Sequence, residues 1–117
     1  VQGVKKAVLE AVERAGGKPC PPIVVGIGLG GTMDKAAFLS KKALLREIGA
    51  RNPKPHLAAL EQELLEEINK TGIGALGMGG TVTALDVHIE AFSTHIACLP
   101  LAINLQCHAY RHACATI

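Results

Sequence analysis

Apolar residues recur with helical spacing at Val4, Val8, Ala11, Val12 and Ala15, with Lys5, Lys6, Glu10, Glu13 and Arg14 set between them, so the chain opens on an amphipathic helix. Gly16-Gly17 stops it, and Lys18-Pro19-Cys20-Pro21-Pro22 follows as a stiff, extended loop that fixes Cys20 between prolines. Residues 23–27 (Ile-Val-Val-Gly-Ile) read as a buried strand running into Gly28-Leu29-Gly30-Gly31, and Thr32 is placed to cap a helix over 33–48. Asn52-Pro53-Lys54-Pro55 breaks that pattern. Leu57, Leu60, Leu64 and Ile68 then form a second helical stripe, with Glu63, Glu66 and Glu67 mostly on the other side, until Gly72 ends it.

Residues 72–80 are rich in glycine, and from Thr81 the pattern turns to β. Val82, Leu85, Val87 and Ile89 mark one strand, and residues 96–105 a second that Pro100 interrupts. A short helix over 108–116 closes the chain. There is no internal repeat and no low-complexity linker. The expected fold class is therefore α/β, with mixed strands and packed helices in one unit spanning 1–117.

Composition narrows the function classes. The chain has 117 residues, enough for one core-forming domain or a piece of one. Twelve Lys+Arg against ten Asp+Glu gives +2, with the charges interspersed, which speaks against nucleic acid or an anionic membrane as partner. The only aromatic side chains that could stack on bases, Phe38, Phe92 and Tyr110, are scattered. The apolar runs fall short of the ~20 residues that span a bilayer, and the charged first helix is no signal peptide. Without an export signal, the four cysteines read as reduced thiols in a cytoplasmic protein. The first residue is Val, not Met, which suggests a processed or truncated product.

Three features offer chemistry. Gly26, Gly28 and Gly31 fit G-x-G-x-x-G between a strand and a helix, the context of a dinucleotide fingerprint. The second buried strand that fingerprint needs directly after the helix is absent, because Pro53, Pro55 and another helix intervene. A nucleotide or phosphate cradle at Gly26–Gly31 thus stands beside the plainer reading, glycines that permit a tight turn and close helix packing. The cysteines contain no C-x-x-C pair, which disfavours a zinc ribbon. Cys98, in an apolar run, reads as a buried structural residue, and Cys114, on the terminal helix, as structural or exposed. Cys20, in its rigid loop, and Cys107, after an apolar strand, are candidate ligands. Among the histidines, His56 reads as exposed, and His88 as facing solvent or a partner. His108 and His112 have the i, i+4 spacing of a weak metal pair, and His95 lies in a polar turn from which an imidazole could reach a pocket.

Lys18-Pro19-Cys20-Pro21-Pro22 and Val25 through Met33 closely resemble the alpha part of the class I fumarase and L-tartrate dehydratase family, and so do Gly79 through Glu90 and His95 through Cys107. The likeness runs essentially end to end. It implies a partial catalytic domain of an oxygen-sensitive iron–sulfur hydro-lyase, the C-terminal portion of an alpha-type domain. In that family three cysteines hold a [4Fe–4S] cluster and leave one iron open to substrate. By position, Cys20 matches the second cluster cysteine, Cys107 the third, and His95 a histidine that contacts the bound hydroxy acid.

The family's first cluster cysteine lies upstream of the proline-flanked one, and no cysteine precedes Cys20 here. The resemblance therefore implies a third ligand outside this chain, and a beta subunit or domain that supplies the general base. The implied reaction is reversible hydration of a small dicarboxylic acid, fumarate/L-malate first and tartrate second, within an oligomer. The 117-residue chain alone is expected to be inactive. A different possibility is a non-catalytic assembly piece whose exposed apolar edges dock a partner.

Overall fold

The computed structural model describes residues 2–19, 21–74, 77–92, 100–107 and 115–116. Its elements in chain order are α1 (Gln2–Ala15), β1 (Ile23–Leu29), α2 (Met33–Ala43), α3 (Pro55–Asn69), β2 (Ala84–Ala91) and β3 (Leu101–Gln106). The strands form one sheet in the order β2-β1-β3, with β1 parallel to β2 and antiparallel to β3. This is the mixed α/β arrangement that the alternating periodicities predict.

The two faces of the sheet are covered in different ways. Ile23, Val25 and Ile27 of β1 and Val87 and Ile89 of β2 face α1 and α3, where they pack with Val8, Val12, Leu57, Leu60, Leu64 and Ile68. Lys5 Nζ ties α1 to α3 through Glu63 Oε2 at 2.7 Å. The other face carries Gly26 and Gly28, and α2 lies directly on them. A Cβ at Gly28 would overlap the Ala36 carbonyl oxygen, and one at Gly26 the Ser40 carbonyl oxygen. Asn104 of β3 donates to Ser40 Oγ at 2.7 Å on the same face. The glycine motif thus serves close helix packing. Gly30 and Gly31, at φ 87° and 70°, make the turn into α2, which Thr32 caps.

Several boundaries differ from the periodicity. The helix expected over 33–48 ends at Ala43, with Leu44 as its C-cap. Residues 46–52 are drawn away from the helix axis because Arg46, the Gly49 N–H, Arg51 and Asn52 all bond to residues of β2. The strand expected from Thr81 begins at Ala84, and Val82 stays exposed before it. A register shift pairs Ile23 with Ala84 but Val24 with Asp86, so Leu85, in phase with Val87 and Ile89 along the sequence, does not join them in the core. Of the strand expected over 96–105, β3 realises Leu101–Gln106, and residues 96–99 lie outside the described residues. So do 108–114 of the expected closing helix, while Ala115 and Thr116 are not helical.

His88 is corrected outright. Its alternation suggests a side chain facing solvent or a partner, yet it is fully buried, because α2 covers the face of β2 that this alternation selects. His56 is exposed, as expected.

Gly28→Ala should lower stability by about 1–3 kcal/mol, the usual cost of overpacking. Gly3→Ala, in α1 where an added methyl would meet nothing within 4 Å, should raise it by about 0.5–1 kcal/mol. Urea melts of the two variants check both signs.

Candidate functional site

The strand directions decide which candidate residues share an end of the sheet. Gln106 pairs with Val24, so Cys107 follows β3 at the end where β1 begins. That end is also where Pro21 and Pro22 deliver the chain into Ile23; the Pro21-Pro22 bond is cis. Cys20 itself lies outside the described residues, but both neighbours, Pro19 and Pro21, are described, and Pro21 is buried. Cys107 is half-buried.

Glycine-rich backbone closes the same end. Ile23 N–H donates to the Thr83 carbonyl at 2.9 Å, fixing the start of β2 beside the start of β1. Thr83 Oγ1 accepts from Gly74 N–H at 3.1 Å, and Asn69 Oδ1 accepts from the N–H groups of Thr83 and Ala84 at 2.8 and 2.9 Å. A Cβ at Gly77, whose φ is 76°, would meet the Gly17 Cα at 2.7 Å. The described part of residues 72–80 therefore folds against the end of α1 by backbone-to-backbone contact that no larger residue allows.

His95 is a different case. It lies outside the described residues, and the chain enters that segment at Phe92 and leaves it at Pro100. Phe92 N–H donates to the Leu29 carbonyl and Gly30 N–H to the Pro100 carbonyl, so both flanks sit at the far end of β1 from Cys107. At that far end the Lys35 ammonium lies 5.5 Å from the Phe38 ring centroid and 4.9 Å from that of Phe92. The described residues put Cys107 at the end of the sheet where Pro21-Pro22 enters β1, and not with the flanks of His95. Cys98, Cys114, His108 and His112 also lie outside them, and the described residues contain no group of three His, Cys, Asp or Glu able to hold a metal.

A buried polar cluster on β2 was missed by periodicity. Glu61, fully buried, accepts from Arg46 Nη1 at 2.8 Å, from Ile89 N–H at 2.7 Å and from Asn52 N–H at 2.8 Å. Its signal was available: Glu61 lies four residues after Leu57 and three before Leu64, on the apolar stripe itself. Asp86 accepts from Arg51 Nη2, from the Gly49 and Val87 N–H groups, and from His88 Nε2 at 2.9 Å. The other ring nitrogen of His88 faces the Ala43 carbonyl at 3.2 Å. Both partners of the ring are acceptors, so the two bonds are made together only when each nitrogen carries a proton. Burial pushes the Asp86 carboxyl up, but the hydrogen bonds from His88, Arg51, Gly49 and Val87 outweigh it and hold it well below the ordinary carboxylate range.

The model of the fumarate hydratase (Fumerase) family matches residues 1–116. The chain belongs to that family. A relative from Methanocaldococcus jannaschii, provisionally named L(+)-tartrate dehydratase subunit alpha, is 59% identical over 113 residues, covering 97% of this chain and 40% of its own length. The L(+)-tartrate dehydratase subunit alpha of Escherichia coli K12 is 40% identical over 110 residues, covering 94% of this chain and 36% of its own length. This Fumerase-family chain thus spans about two fifths of the length of the curated relatives it matches.

A depressed carboxylate contributes stability that is present above its ordinary value near pH 4 and is lost as pH falls below it. Asp86→Asn should therefore destabilise the fold by about 3 kcal/mol at pH 7, leaving buried donors unpaired. The gap between wild type and variant should narrow below about pH 4. Paired acid titrations followed by circular dichroism would measure that convergence.

Proposed function

We propose that this chain is the C-terminal portion of the alpha-type catalytic domain of a [4Fe–4S]-dependent hydro-lyase, acting on a small dicarboxylic hydroxy acid. Cys20 and Cys107 are two of its cluster ligands. The observation that carries the reading is the half-buried thiol of Cys107 at the sheet end where Pro21-Pro22 enters β1, in a chain of the Fumerase family. Thiols are the donors that iron–sulfur clusters take, and a strand end beside a proline-stiffened loop holds them with little conformational freedom to lose. The donor chemistry fits the group.

When bound, such a cluster with three protein ligands supplies a Lewis-acidic iron that makes hydroxide a better leaving group. The chain's own residues have simpler tasks. Cys20 and Cys107 hold the cluster as thiolates, which ties binding to pH. His95 binds a hydroxyl or carboxylate oxygen of the substrate, a role that rests on the family resemblance alone. The proton beside the other carboxylate is removed by a base from the beta partner, which the relatives' designation as alpha subunits supports. Fumarate/L-malate and tartrate both satisfy this chemistry, and the relatives' names move L(+)-tartrate ahead of the fumarate expected from the resemblance. A cytoplasmic location is part of the same reading, and no helix among the described residues is long and apolar enough to cross a membrane.

Anaerobic reconstitution of the full-length alpha subunit with its beta partner tests each part separately. Cys20→Ala or Cys107→Ala should abolish the visible absorbance and the stoichiometric iron and sulfide. Retention of an intact cluster in either variant would overturn the ligand assignment. His95→Ala should keep the cluster and raise KM for L-tartrate or L-malate by about 10-fold or more, the scale of one lost charge-assisted hydrogen bond. The 117-residue chain alone should turn over neither substrate, and turnover by it would remove the need for the missing ligand and base.

A further inference from the structure

The two edges of the sheet are finished in opposite ways. Ile23 N–H bonds to Thr83 and Phe92 N–H to Leu29, so the odd-numbered residues of β1 bond toward β2. Gly30 N–H bonds to Pro100, so the even-numbered residues bond toward β3. The alternation of an antiparallel ladder then turns the N–H and C=O groups of Leu101, Ile103 and Leu105 away from β1, onto the outer edge. On β2, side chains take the outward N–H of Val87 and both outward groups of Ile89. Asp86 Oδ1 accepts from Val87 N–H, Glu61 Oε2 accepts from Ile89 N–H, and Arg46 and Asn52 donate to the Ile89 carbonyl at 2.8 and 2.7 Å. The middle of that edge is covered by side chains.

Among the described residues, nothing bonds the outward groups of β3. The strand Leu-Ala-Ile-Asn-Leu-Gln has no charge and no proline, the devices by which exposed edges are blunted. Yet each of its residues is half-buried, and Leu101, Ile103 and Leu105 pack on the core between the sheet and α1. The relatives matched by this chain have more than half of their length outside the matched region.

We propose that the outer edge of β3 is a strand-acceptor site, filled by a β-strand from the part of the full-length subunit that lies outside these 117 residues. Main-chain bonds to Leu101, Ile103 and Leu105 provide the affinity. The incoming strand places apolar side chains beside these three, extending the α1-side core, and small or polar ones beside Ala102 and Asn104, where β3 meets α2. The site is independent of the cluster.

Residue-resolved amide exchange on the deuterated full-length alpha subunit, followed by NMR, tests it without metal or substrate. The amides of Leu101, Ile103 and Leu105 should exchange within about tenfold of those of Ala102, Asn104 and Gln106, which bond to β1. Cross-strand NOEs from the outward amides should lead to residues beyond the 117. Alternating protection, with the odd-numbered amides exchanging more than about a hundredfold faster, would overturn the proposal. So would continuous protection with NOEs leading to residues 93–99 or 108–114, to a second copy or to the beta partner. Failure of the iron–sulfur reading would leave these outcomes unchanged.

Discussion

The approach of α2 to Gly26 and Gly28 fixes the geometry on which everything else in this fold rests. Two strand positions without side chains let a helix sit against the sheet at backbone distance, so its carbonyls occupy the space that Cβ atoms would take. With α2 so close, the neighbouring residues of that face become interior, and this is why polar groups at Asp86, His88 and Asn104 must find partners. A glycine-rich turn between strand and helix is most familiar as a phosphate cradle. Here the same residues bring two secondary-structure elements together, and the motif cannot distinguish these uses because both exploit a missing side chain.

The polar cluster along β2 does two jobs with one set of residues. Arg46, Arg51 and Asn52 come from the loop after α2, and Glu61 from α3, so their bonds to β2 fix the crossover that joins the two parallel strands. Those bonds also supply to the β2 edge what a neighbouring strand would supply. Arg46 pairs with Glu61 and Glu90, and Arg51 with Asp86, so each carboxylate of the cluster has a guanidinium beside it. Glu61 and Asp86 are buried, and ion pairs with one partner out of water are screened less by salt than exposed ones.

Much of the architecture was legible in the sequence because burial on one side leaves a periodic trace. The stripes through Val4–Val12 and Leu57–Ile68 locate α1 and α3, and the apolar run after Pro22 locates β1. What failed was tertiary in origin. The end of α2 is set by side chains that reach β2, a contact with no local signature between residues 44 and 48. Leu85 misled because a register shift breaks the two-residue period that strand reading assumes. His88 misled because alternation assigns a face, but the covering element must be known before that face can be called inside or outside. Cys107 was placed by position alone, and only the antiparallel return of β3 sets it beside the start of β1.

The strand order has a consequence for how the protein is made. Of the three described strands β1 is central and precedes the other two, so Ile23 waits for Ala84, while Val24 waits for Gln106. Until those residues leave the ribosome, this apolar segment lacks both of the strands it pairs with here, and two helices must be placed before its parallel neighbour arrives. Pairings of such long sequence separation form slowly and leave strand edges open to other chains. A fold whose central strand follows its partners in sequence would be spared that exposure.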